Sequence, residues 1–449
     1  MLKICTQKIK IIYLDGNKRI RNRLSLFLFL SFLSFSAFSN QLSYDEIIKT
    51  ALVNNPDLKY EEMKVKEAES RYNVQFGAIL PQIDALLSYT HYGQDAGNGF
   101  ETKPTIIGAS EDFYIAQLTL NQVLFKGGKY LALINSAQCV YLAEKEKLEQ
   151  VKRDVVFSAK SGYYELLRSL YSQSIQKELI KRLEDQLSIS TLLYESGKIS
   201  NIDVLKIKTR ISSAEDSLTN FNNLVRIKSL ILGQVLGLKE PVTIEMKDPE
   251  IREDLKILAI NTEELIKKSP KVNNVKYIFD KSKADLGSAA GDEYPSLSFM
   301  ANLNAADNKL FPTNTNYYFG LNLSFSVFHG GSINAAYDAA ETVVRENEIN
   351  YDQAKIDVSI AFQSAEATFL DESSLRMTSK KTLDLAKETL TATELSYNTG
   401  KLNAIDLIDS ETVWFNAKLN FYYNIIDCLL AEAAVINIYP EAFGKENGK

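Results

Sequence analysis

Residues 194–205 read YESGKISNIDVL and residues 397–408 read YNTGKLNAIDLI, one pattern set down twice, 203 positions apart. Behind each Tyr come a Gly, a Lys and then an Asp at fixed spacing: Gly197, Lys198 and Asp203 in the first copy, Gly400, Lys401 and Asp406 in the second. A Gly that closes a long run free of Pro is a natural helix C-terminus, because a left-handed residue there lets N–H groups cap the last carbonyls. Each motif therefore predicts the turn of a helical hairpin, with tips near 194–203 and 397–409.

Working outward, Phe125-Lys126-Gly127-Gly128 matches Phe328-His329-Gly330-Gly331 at the same offset, so residues 127–197 and 330–400 align without a gap. Farther upstream, Pro56 and Pro81 pair with Pro270 and Pro295, each pair 25 residues apart. The chain is expected to be two structural repeats, 40–250 and 251–449, each with a helix, two strands and a long helix pair. The second ends in a further C-terminal segment. The first half carries extra residues in a loop over 93–108. From Ser332 to Thr399 there is no Gly or Pro, and a helix of about 65 residues would be about 95 Å long. Such a helix must pack along its whole length. The small and apolar residues Ala336, Ala340, Val343, Val358, Ala361, Ala365 and Ala367 recur between charged ones at three- and four-residue steps, which suggests coiled-coil-like packing.

Between the helices, polarity alternates residue by residue. Tyr317, Phe319, Leu321 and Leu323 share one face of a segment near 316–326, with Tyr318, Gly320, Asn322 and Ser324 on the other. Segments near 296–304, 113–123 and, more weakly, 83–92 alternate in the same way. Ten-residue segments of this kind fit a transmembrane β-barrel, and each taken alone fits a soluble antiparallel sheet with one dry face equally well. Four strands cannot close a barrel, since about eight are needed, so strands in a membrane imply several chains sharing one barrel.

Composition narrows the function. The chain has 449 residues, 24% charged, with a formal net charge of −6, and no basic surface for nucleic acid is implied. Three Cys and two His are too few for a Cys/His zinc site or an iron–sulfur cluster. No Gly-rich loop leads into Lys-Ser or Lys-Thr, so no nucleotide phosphate site is expected. No nucleophile–base set appears, and His91 and His329 fall at strand ends, so the chain is not expected to be an enzyme or to carry a cofactor. Cys139 and Cys428 sit in helical stretches far apart and are expected to be free thiols. Residues 1–39 hold seven Lys and Arg against one Asp, then an apolar run from Leu24 to Phe38 and small residues at Ala37 and Ser39. This is the pattern of an export signal cut before Asn40. The apolar run is shorter than the roughly 20 residues a spanning helix needs, and no long uncharged apolar stretch follows it.

Together these residues resemble the TolC family of outer-membrane efflux proteins. The likeness covers about residues 42–434 and rests on Asn55-Pro56-Asp57, Leu80-Pro81-Gln82, the Leu-Phe-x-Gly-Gly after the second strand, and the duplicated Tyr-x-x-Gly-x(5)-Asp. It implies a mixed, mostly α fold: a homotrimer in which each chain gives four strands to a 12-stranded transmembrane β-barrel, continued by a long α-helical periplasmic tunnel. It further implies a passive exit duct of a tripartite efflux or type I secretion system. Its partners would be a periplasmic adaptor protein, an inner-membrane transporter and outer-membrane lipid. A soluble periplasmic coiled-coil scaffold or adaptor without a pore is the other expectation that the helices alone allow.

The resemblance also assigns sites. The tips, with Gly197, Lys198, Asp203, Gly400 and Lys401, would meet the adaptor; as bare sequence they are simple αα-hairpin turns. Asp406 and Asp409, three residues apart and hence on one helix face, would line the tunnel entrance, with Tyr397 helping to hold it shut. Three-fold symmetry would gather six carboxylates there, a field that favours cations. Solvated surface acids are the plainer alternative. Leu402 stands where some relatives carry a basic closing residue, so the closing partners here must differ.

Overall fold

The computed structural model describes residues 41–91, 112–247, 257, 261–307, 310, 315–399 and 401–443. The export signal over residues 1–39, the loop over 93–108 and Gly400 lie outside them. The chain begins with α1 (Tyr44–Asn54) and α2 (Pro56–Gly77), then β1 (Gln82–His91) and β2 (Asp112–Lys126). A long helix α3 (Lys129–Glu195) and a shorter α4 (Asn201–Val235) follow. The second half runs through α5 (Thr262–Lys268), α6 (Pro270–Ala290), β3 (Ser296–Asp307), β4 (Thr315–Ser324), α7 (Ser332–Asn398) and α8 (Ala404–Ile438).

Local chemistry sets these boundaries. Ser43 and Glu46 form a reciprocal capping box at the start of α1, satisfying two N–H groups that the first turn leaves free. Asn55 accepts from the N–H groups of Asp57 and Leu58 while Pro56 opens α2, and its Nδ2 donates to the Val235 carbonyl at 2.8 Å. The junction of the first two helices is thereby pinned to the end of α4. Gly128 and Gly331, at φ 76° and 80°, are the left-handed N-caps of α3 and α7. A side chain there would meet open space, so it is backbone conformation that requires glycine.

Helices α3 and α7 have 67 residues each, and α4 and α8 have 35 each; the longer pair is about 100 Å long at the usual helical rise. Packing is strung along them rather than gathered at one centre. Around the middle of α3, helices α1, α3 and α4 share Ile47, Val155, Leu166, Leu167 and Leu232 with Ile426 of α8. The parallel cluster of the second half joins Leu265, Val272, Val358, Phe362, Phe369 and Val435. The buried stripe of α7 is therefore Ala354, Val358, Phe362 and Phe369. The small-residue series expected from sequence meets this stripe at Val358, and Ala365 flanks it. Ala336, Val343, Ala361 and Ala367 are exposed on the single chain. By length and composition α8 could cross a bilayer, with a mean hydropathy of 1.3 over its most apolar part. Its Ile426, Ala431 and Val435 are instead buried in the clusters with α3 and α7.

The strands form one antiparallel sheet in the order β1-β2-β3-β4. Register aligns like with like: Ile83, Leu120, Ala301 and Phe319 form one row across the sheet, and Ala85, Leu118, Leu303 and Tyr317 the next on the same face. The opposite face carries the row Asp84, Thr119, Asn302 and Tyr318, where Asn302 Nδ2 donates to Thr119 Oγ1 at 2.9 Å. A bulge between Val123 and Phe125 marks the return to helix. The strands pack on one another and the helices on one another, leaving Leu87 at 83% and Phe319 at 72% exposure. β1 and β4 are both open edges.

Candidate functional site

Helices α3 and α4 form one hairpin and α7 and α8 a second, and their turns are built alike. At the first, Gly197 has φ +75°, its N–H donates to the Tyr194 carbonyl at 2.9 Å, and the Lys198 N–H donates to the Leu193 carbonyl at 2.9 Å. This paired closure satisfies the last carbonyls of α3. At the second, the Lys401 N–H donates to the Ser396 carbonyl at 3.0 Å. The outgoing helices start on side-chain caps: Ser200 Oγ accepts from Ile202, and Asn403 Oδ1 accepts from Ile405 and Asp406. Lys198 and Lys401 are exposed at the two tips.

The tyrosines of the duplicated motif part company. Tyr194 is 45% exposed, whereas Tyr397 is 1% exposed, packed among Ala386, Leu390, Ala404, Leu407 and Trp414. The Tyr397 hydroxyl shares a 2.9 Å hydrogen bond with Ser190 Oγ of α3, and that Ser also donates to the Gln186 carbonyl. Tyr397 thus ties the second hairpin to the first. Leu402, 38% exposed, lies apart in a shallow groove of about 430 Å³ beside Leu385, Thr389 and Ala392.

The acidic residues divide similarly. Asp203 is half-buried and faces Lys206 on its own helix at 3.5 Å. Asp406 and Asp409 are exposed, three residues apart on α8, and among the described residues no cation stands within ion-pair distance of either. A bare pair of carboxylates therefore sits immediately behind the second tip.

Above the tips, α3 and α8 run antiparallel and are bonded rung by rung. Arg168 pairs with Asp427, Ser172 Oγ meets the Tyr423 hydroxyl at 2.9 Å, and Lys418 pairs with Glu178. Nearer the tips Arg182 reaches Glu394 of α7 at 3.0 Å, and Arg210 of α4 donates to Thr412 at 3.0 Å. Trp414, the one Trp of the chain, carries the Arg182 guanidinium 4.6 Å and the Lys418 ammonium 5.0 Å from its ring centre. Sequence reasoning missed Ser190, Arg182, Glu394 and Trp414, since partners from different hairpins share no motif. The single Trp was the one signal available.

Other candidates are quieter. His91 Nδ1 contacts Asp112 at 2.9 Å at the end of the first sheet hairpin, and His329 contacts the neighbouring Phe328 carbonyl. Cys139 and Cys428 are unlinked, and burial pushes both thiols up. No cluster of three or more potential metal ligands occurs among the described residues.

Comparison with known proteins returns a consistent match. The family model for outer membrane efflux protein covers residues 47–238 and 262–434. The toluene efflux pump outer membrane protein TtgC of Pseudomonas putida is 21% identical over 391 residues, 86% of this chain and 78% of its own length. The cation efflux system protein CusC of Escherichia coli is 21% identical over 386 residues, 83% of this chain and 80% of its own. A crystal structure of CusC superposes with a TM-score of 0.79 at 18% identity, covering 92% of this chain and 96% of that one.

Proposed function

This chain belongs to the outer membrane efflux protein family, and we propose that it acts as the outer-membrane exit duct of a tripartite efflux or type I secretion system, as a homotrimer. The family is one of transport ducts, and none of the relatives named above is described by a catalysed reaction. The observation that carries the proposal is the sheet. Its apolar rows are uncovered by any helix, its polar row is hydrogen-bonded, and both edges are open. In hydrocarbon an open edge leaves backbone groups unsatisfied at several kcal/mol each, so β4 of one copy must pair with β1 of another until the sheet closes. Three copies give twelve strands, with the apolar rows toward lipid and the row Asp84, Thr119, Asn302 and Tyr318 toward water.

Below the barrel, three copies of each hairpin would wall a tunnel about 100 Å long, in keeping with the rise of a 67-residue helix. The tips, with Gly197, Lys198, Asp203, Gly400 and Lys401, would meet a periplasmic adaptor coupled to an inner-membrane transporter. Asp406 and Asp409 from three chains would ring the entrance, where unpaired carboxylates concentrate cations and repel anions. Tyr397 would keep the entrance narrow by holding the second hairpin against Ser190 of the first. The chain supplies no energy of its own in this scheme. The test is ion conduction by the purified protein in a planar bilayer, with the outer-membrane fraction as its cellular address. A protein that passes no current and fractionates with soluble periplasm would contradict the proposal.

A further inference from the structure

Glu411 of α8 is 3% exposed, two residues beyond Asp409 on the side facing the first hairpin. Among the described residues it has neither a hydrogen-bond nor an ion-pair partner. The charged groups that act on it come from three helices, Arg182 from α3, Arg210 from α4 and Glu394 from α7, with Glu178 of α3 and Lys418 of α8 joined to Arg182 through ion pairs. The cations are already engaged. Arg182 holds Glu394 at 3.0 Å and Glu178 at 3.9 Å, Lys418 holds Glu178, and Arg210 donates to Thr412. A carboxylate buried in such a place loses most of its hydration and gains no hydrogen bond for it, only the Coulombic pull of Arg182 and Arg210.

We propose that Glu411 is a positioning residue of the entrance, letting α8 lie against α3 and α4 while its carboxyl holds a proton and favouring separation of the hairpins when it does not. This rests on reading the hairpin tips as the mouth of the duct. Burial, reinforced by the nearby Glu394 carboxylate and opposed by Arg182 and Arg210, pushes the Glu411 carboxyl up to about 7. Once the hairpins part and water reaches it, an ordinary carboxyl value returns. The packed state therefore binds the proton more tightly. Acid favours it, the preference fades as pH rises from the ordinary carboxyl range to about 7, and it changes no further above that. Linkage of one proton limits the effect to about tenfold in the open-to-packed ratio per pH unit.

The experiment is a distance measurement on the full-length protein in detergent. Spin labels are placed at Lys208→Cys of α4 and Lys387→Cys of α7, in a Cys5→Ala, Cys139→Ala, Cys428→Ala background, with labelled chains diluted into unlabelled ones. The longer-distance population is expected to grow several-fold between pH 5 and pH 7.5, and Glu411→Gln is expected to stay in the short-distance state throughout. Glu394→Gln, which frees Arg182 to pair with Glu411, is expected to move the midpoint to lower pH. An unchanged pH response in Glu411→Gln, no response in the parent, or an unmoved midpoint in Glu394→Gln would overturn the proposal. Absence of bilayer current in parent and variants alike would instead count against the duct itself, leaving the distances to decide the role of Glu411.

Discussion

The Tyr397 hydroxyl and Ser190 Oγ meet 2.9 Å apart in the buried seam between the two helical hairpins, while Tyr194, which fills the same motif position in the first hairpin, stands in solvent. One motif thus has two environments, and the difference makes the second copy a tie and the first a surface residue.

Tyr397→Phe removes this bond and leaves Ser190 its contact with the Gln186 carbonyl. A net loss of about 1 kcal/mol is expected to raise the open fraction of single channels about fivefold. Tyr194→Phe is expected to change nothing, so recordings of the two variants side by side check the asymmetry.

Asp406→Ala combined with Asp409→Ala removes an exposed pair, so unfolding is expected to stay within about 0.5 kcal/mol of the parent. Cation selectivity is expected to fall. Reversal potential under a salt gradient reads this directly, and an unmoved value would remove both residues from the entrance.

Phe319→Arg and Asn322→Arg discriminate the two faces of β4. The first places a charge on the face assigned to lipid and is expected to cost about 2–4 kcal/mol near the midplane, read as reduced trimer yield and heat resistance. The second faces water and is expected to be mild. A free soluble sheet would tolerate both, since Phe319 is already exposed in the single chain.

Trp414→Ala deletes a buried ring with a cation on it from each of two helices, α3 and α8. The loss is expected to be about 3–5 kcal/mol, measured by thermal or denaturant unfolding of the helical part. In the parent, fluorescence of this one Trp offers an independent report on the seam.

The family, the outer-membrane address and the export role were legible in sequence, because they rest on local signals that recur in order. Gly197 in its left-handed turn and the alternation through Tyr317, Phe319 and Leu321 each follow from backbone geometry that nearest neighbours dictate. The seam was not legible. Ser190 lies 207 positions from Tyr397 and Arg182 lies 212 from Glu394, and such pairs are fixed by how two antiparallel hairpins settle against each other. Which small residues of α7 the chain buries on its own was not legible either: Val358 lies in the second-half cluster, while Val343 and Ala361 are exposed on the single chain. Glu411 was passed over for the same reason: its burial is a property of four helices, while its neighbours in sequence are ordinary.

The most direct test of the whole account is the native mass of the detergent-solubilised protein extracted from outer membrane. Three chains held together, requiring detergent to stay in solution, are expected if four open-edged strands complete one barrel only with those of two further copies. A single chain stable in detergent-free buffer would contradict it.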